Sequence, residues 1–151
     1  MEDTKPAGRA PARVRDRPTW LISRAYARSS SLLSAGFEAH GAGLRSYHYR
    51  LLASLEEQGA ASQADLGRST GIDRSDVTAA INELERRDLV ARSVDPDDRR
   101  RNVVSITKAG RKQLRVLDRV LSEVQQQVLA PLTQKERRQF VKLMRRLAAD
   151  D

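Results

Sequence analysis

The stretch DPDDRRRNVVSITKAG, residues 95–110, decides the reading of this chain. Asp95-Pro96-Asp97-Asp98 supplies the residues of a tight turn. The run that follows alternates Val104 and Ile106 as a returning strand would, and Thr107 then has the character of a helix cap. Upstream, Val90, Arg92 and Val94 alternate with Leu89, Ala91 and Ser93, the pattern of a half-buried strand. The two strands and the turn make a hairpin with Arg99, Arg100 and Arg101 at its tip, where long cations can bury nothing.

Working outward, the period on the N-terminal side changes to that of helices. Leu44, Tyr47, Leu51, Leu52 and Leu55 fall on one face of a 3.6-residue repeat, and Gly59 ends it. Ser62 caps a short helix with Asp65 three residues on, and that helix stops at Thr70-Gly71. Asp73 caps the next, with Val77, Ile81 and Leu84 buried, running to about Arg87. Residues 62–90 therefore form a helix-turn-helix: Ala64 and Leu66 pack the first helix, Gly71 permits the turn, and Ile72 and Val77 pin the second. Arg74, Ser75, Thr78 and Asn82 remain on the outer face, where they could reach base edges in a major groove. A solvated polar helix face is the plain alternative. The arginine-tipped hairpin following at this spacing favours DNA, because such a tip can enter a minor groove. Asp98 is placed to pair with Arg100 and hold its guanidinium in one orientation.

The flanks are helical. Thr19 reads as a cap for a helix to about residue 39 carrying Trp20, Leu21, Ala25, Leu32, Leu33 and Phe37, broken by HGAG at 40–43. From Thr107, Leu114, Leu117, Leu121, Val124 and Val128 form a coiled-coil-like seam. Thr133 and Glu136 form a capping box for a last helix with Phe140, Leu143, Met144 and Leu147. One small domain cannot cover all these faces, so a second copy is expected against them. Residues 1–18, with three prolines, read as a disordered basic arm. The expected fold is mainly α with a small β hairpin. Its parts are the arm (1–18), an N-terminal dimerisation helix and linker (19–43), a winged helix-turn-helix lobe (44–107) and C-terminal dimerisation helices (108–151).

Composition sets the bounds. The 151 residues hold 28 Lys/Arg and 20 Asp/Glu, a net charge of +8 that suits a polyanionic partner. Yet residues 44–110 carry 11 basic and 11 acidic residues, so local placement rather than net charge points to DNA. The absence of cysteine removes disulfides, thiol redox sensing and cysteine metal sites. With His40 and His48 the only histidines, no metal or cofactor is expected. No apolar run suits a membrane span and no signal peptide is visible, so a cytoplasmic protein is expected. The carboxylate pairs Glu56-Glu57 and Asp97-Asp98 face no shared cleft and no glycine-rich phosphate loop appears, which argues against an enzyme.

These motifs resemble the MarR family (multiple antibiotic resistance regulators) of dimeric winged-helix transcription factors, over about residues 19–148. The resemblance rests on Asp98-Arg99-Arg100, then Val104, Ile106-Thr107 and Gly110, and on Ile72-Asp73 with Leu84 and Leu89-Val90. It implies a recognition helix at 73–87 with Arg74, Ser75, Asp76, Thr78 and Asn82 as readers, and a wing arginine at Arg100 oriented by Asp98. Arg99 is expected beside it on phosphate, and Ser62 and Gln63 join the candidate DNA contacts. The resemblance further implies a homodimer joined through its terminal helices, acting as a regulator, expectedly a repressor, on a palindromic operator. Many members of the family bind a small, often aromatic and anionic, ligand between interface and DNA lobe, so the resemblance leaves a small-molecule effector or none. Trp20, Tyr47 and His48 are candidates to line such a pocket, although Tyr47 on the core stripe reads more readily as plain packing. The rival reading is a winged helix used for protein or RNA contact without an operator.

Overall fold

The computed structural model describes residues 10–149. Among them run seven helices and one hairpin: α1 (Ala12–Arg15), α2 (Pro18–His40), α3 (Ser46–Gln58), α4 (Gln63–Thr70), α5 (Arg74–Arg86), β1 (Val90–Val94), β2 (Asn102–Ile106), α6 (Lys108–Val128) and α7 (Gln134–Leu147). The expected fold class is the observed one. Residues 1–9 of the expected arm lie outside the described residues, and the rest of it holds the helical turn α1, begun by Val14 N–H on the Pro11 carbonyl at 3.0 Å.

The caps explain most boundaries. Ser62 accepts the Asp65 N–H at 3.2 Å, Thr107 accepts that of Gly110 at 2.9 Å, and Thr133 and Glu136 close a reciprocal box. Thr19 is no cap. Pro18 starts α2 two residues earlier, with Arg17 at the N-cap, because its fixed φ and missing N–H suit the first helical position. Asp73 holds the N-cap position of α5, but its side chain accepts no capping hydrogen bond. Gly71 takes φ +68°, the left-handed turn that reverses the chain between α4 and α5.

One aliphatic core joins the elements. Leu51, Leu52 and Leu55 of α3, Leu66 of α4, and Val77, Ile81 and Leu84 of α5 meet Val90 and Val104 of the hairpin. Ala64 does not join them. It is exposed, and Leu66 alone carries α4 inward. The strands pair antiparallel with Val90 opposite Ile106, Arg92 opposite Val104 and Val94 opposite Asn102. Val94 is exposed because this end of the ladder extends past the helices, and Val103 is buried instead. Ala61 extends the sheet by a bridge to Val104, with N–H···O distances of 3.0 and 2.8 Å.

Two stripes differ from the sequence reading. In α3 the buried aromatic position is His48, whereas Tyr47 is exposed. A 3.6-residue repeat from Leu44 admits either residue. His48 is favoured because its Nδ1 accepts the Arg45 N–H at 2.9 Å and completes the helix cap. In α6, Leu114, Leu117, Val120 and Val124 are buried against α2 and α3 of the same chain. That face therefore needs no second copy. The uncovered surfaces are α7, which has no buried residue and hardly touches the rest of the chain, and the start of α2 with Trp20, Leu21, Ile22 and Tyr26.

Candidate nucleic-acid interface

α5 turns its apolar residues into the core, and successive residues rotate by about 100° around the helix. Arg74, Ser75, Thr78 and Asn82 consequently lie away from the core, and all four are exposed. The Thr78 hydroxyl donates to the Arg74 carbonyl at 3.1 Å, a local bond that solvent or a base could replace. Asn82 is less free: its amide oxygen accepts from Arg92 of β1 at 2.7 Å, and the same guanidinium pairs with Glu85 at 2.8 Å. The wing strand and α5 are thus fixed to each other by one side chain. Asp76 rotates to the opposite side, toward α3. At the start of α4, the Ser62 hydroxyl also donates to the Asp65 carboxylate at 2.7 Å, while Gln63 is half-buried with an Nε2 that has no partner among the described residues.

The wing tip has the local order that its turn chemistry predicts. Asp98 accepts both the Arg100 backbone N–H at 3.0 Å and its Nε–H at 3.1 Å. The Arg100 hydrogen bonds hold the Asp98 carboxyl below the usual carboxylate range. The Arg100 side chain is 90% exposed despite this pair, so the acid orients the guanidinium without covering it. Arg99 is exposed beside it, with no ion pair among the described residues. Arg101 is turned back onto the protein, facing Asp65 of α4 at 3.2 Å and Asp95 at 3.9 Å.

The hairpin meets the start of α4 through Ala61–Val104 and Arg101–Asp65 and meets α5 through Arg92, the arrangement of a winged helix. The sequence profile of the MarR family matches residues 44–101. The crystal structure of a probable transcriptional regulator from Pseudomonas aeruginosa superposes with a TM-score of 0.76 at 35% identity, over 87% of this chain and 97% of that one. This chain belongs to the MarR family. It is therefore a transcriptional regulator and not an enzyme. BpsR of Bordetella bronchiseptica, whose DNA binding is regulated by 6-hydroxynicotinic acid, superposes at a TM-score of 0.80 with 29% identity, over 94% of this chain and 100% of that one. The transcriptional repressor NicR of Pseudomonas putida is 27% identical over 146 residues, 97% of this chain and 91% of NicR.

This MarR-family chain also has a cleft of about 620 Å³ between α3 and α5, lined by Arg45, Tyr47, His48, Asp73, Asp76 and Glu83, among others. Tyr47 and His48 thus share a cavity, their ring centroids 4.4 Å apart, while Trp20 lies elsewhere on the exposed start of α2. Arg87 ties the end of α5 to the α2–α3 linker, donating to the Ala42 carbonyl and to Glu83, both at 2.7 Å. Neither this tie nor Arg92 was apparent from sequence, because partners 45 and 10 residues away carry no local pattern. Among the described residues no cluster of His, Cys, Asp or Glu could hold a metal, and no helix is long and apolar enough to cross a membrane.

Burial lowers the His48 pKa to about 4, assisted by the positive charges of Arg87 and Arg45. The native state therefore resists a proton that the unfolded chain accepts at about 6.5. The His48 contribution to stability should be fully present well above pH 6.5 and be lost progressively, on the order of 1–3 kcal/mol, as pH drops from 6.5 toward 4. Urea titrations across that range check this, and His48→Gln, which keeps an acceptor for the Arg45 N–H, should flatten the fall.

Proposed function

We propose that this regulator is a homodimeric repressor that binds a palindromic operator, one lobe of residues 44–107 on each half-site. The observation that carries this is the pairing of an exposed α5 face with a wing on which Arg99 and Arg100 are both exposed while Asp98 orients Arg100. In this reading Arg74, Ser75, Thr78 and the exposed part of Asn82 meet base edges, and Ser62 and Gln63 meet the backbone at the start of α4. Asp76 contributes from the cleft side, by shaping the start of α5. Within the flanking segments 19–43 and 108–151, the start of α2 and α7 join two copies. The uncovered α7 supports this, since an isolated helix of 14 residues is marginal in water and its apolar stripe needs a surface. In this reading the protein acts in the cytoplasm, where it would meet its operator.

Release is assigned to a small aromatic carboxylate. BpsR supplies the analogy, and the cleft supplies Tyr47 and His48 as an aromatic wall with Arg45 as a cation at its rim.

Selection from a random-sequence duplex library tests the proposal. It should enrich an imperfect palindrome with half-site centres about 10 base pairs apart, one turn of DNA. Enrichment of no duplex, with capture of RNA or a protein instead, would establish the rival use of the winged helix. Arg100→Ala should weaken binding to the selected duplex and to unrelated DNA by similar factors. It should also make the slope of log affinity against log salt shallower by about one to two units per dimer. Asp98→Ala should do less, because the charge on Arg100 remains.

A further inference from the structure

We infer that Arg101 acts as a positioning residue rather than a third wing reader, latching the wing to the helix-turn-helix through Asp65. The inference rests on the DNA-binding reading above but concerns a residue that the reading leaves unused. The geometry around Arg101 is closed on three sides. Its backbone N–H donates to the Asp98 carbonyl at 2.9 Å and its carbonyl accepts from Asp95 N–H at 2.8 Å, so its main chain forms the neck of the wing loop. Its guanidinium lies between Asp95, on the wing, and Asp65, on α4. Asp95 is itself fixed, because its carboxylate accepts the Asp97 N–H at 2.9 Å. Asp65 is fixed too, by the Ser62 hydroxyl at 2.7 Å and by Arg68. The Ser62 hydrogen bond leads in holding the Asp65 carboxyl below its ordinary range, with Arg68 and Arg101 adding to it, so the latch is charged at neutral pH.

Ala61–Val104 bridging already joins the base of the wing to the segment before α4. Tipward of Val104, the Asp65–Arg101 ion pair joins the wing to α4. A wing is useful only if Arg99 and Arg100 arrive at the groove while α5 lies in its neighbour. One contact that sets the angle of the loop therefore acts on both at once. The pair is half-exposed, so its effect is modest at each wing and doubles in a dimer.

The sign of one substitution separates the two roles. Asp65→Asn removes a negative charge near DNA, and simple electrostatics would raise affinity for every duplex. A latch predicts the reverse for the selected duplex: affinity about three- to tenfold lower, with binding to unrelated DNA unchanged or stronger. Arg101→Gln should give a similar loss, and the double variant should lose no more than the worse single one, because both remove one interaction. In the free protein, amide hydrogen exchange across residues 95–102 should quicken in either variant. The inference is overturned if Asp65→Asn strengthens binding to the selected duplex, or if the two losses simply add. It is also overturned if exchange in the free wing is unchanged. Failure of the wild type to bind any duplex would instead remove the DNA-binding reading, whereas the exchange measurement still reports on the latch.

Discussion

Leu143→Asp should leave each chain folded yet lower affinity for the selected duplex by about a hundredfold or more. Leu143 is 46% exposed, and Phe140, Met144 and Leu147 share its face at i, i+3, i+4 and i+7 spacing. No core residue touches this stripe, so an aspartate there costs the single chain little. Against a second copy it would bury an unpaired carboxylate, which is strongly unfavourable. The large effect on DNA follows from linkage. A tethered second lobe binds its half-site at high effective concentration, and a monomer loses that advantage entirely. Sedimentation should show the wild type as a dimer and the variant as a monomer at micromolar concentration, with only the wild type gaining thermal stability with concentration. A wild type that sediments as a stable monomer would contradict the assignment of α7.

Gly110→Ala should destabilise the fold itself by roughly 2–3 kcal/mol net, lowering the midpoint of thermal unfolding by about 10 °C. Gly110 lies in the first turn of α6, where its N–H meets the Thr107 hydroxyl. The Leu89 carbonyl, which accepts the Thr107 N–H at 3.1 Å, sits directly against it. A Cβ here would stand 3.0 Å from the Leu89 carbonyl carbon, closer still to its oxygen, and 2.8 Å from Ile106. Alanine favours helix over glycine by about 1 kcal/mol, but the clash is with backbone and cannot relax by a rotamer change. Moving α6 away would open the junction between wing and helix. A variant as stable as the wild type in calorimetry would show that this junction is loose.

Much of this architecture was legible because it is written in local chemistry. The caps at Ser62, Thr107 and Thr133, the change of period at Val90 and the Asp-Pro turn each act over a few residues. The same holds for Asp98–Arg100, an interaction across two positions. The glycine three residues after Thr107, part of the family resemblance, has its reason in the approach of Leu89. The sequence reading failed where tertiary contacts decide. The α6 seam has the spacing of a coiled coil but faces α2 within its own chain. Tyr47 and His48 are equally placed by periodicity, and only the cap at Arg45 turns the histidine inward. Of the three tip arginines, identical in type and adjacent, two project and one folds back onto Asp65, 36 residues upstream. Trp20 was separated from Tyr47 and His48 because nothing in the pattern reports where α2 crosses α3.

The central claim is that α5 and the wing read DNA together, part by sequence and part by charge. Its most direct measurement is the affinity of the wild-type protein for the selected duplex and for a scrambled duplex of equal length, across a salt series. The account predicts a preference of at least about a thousandfold at physiological salt. It also predicts that both affinities fall steeply as salt rises. Equal affinity for the two duplexes, or binding that does not weaken with salt, would contradict it.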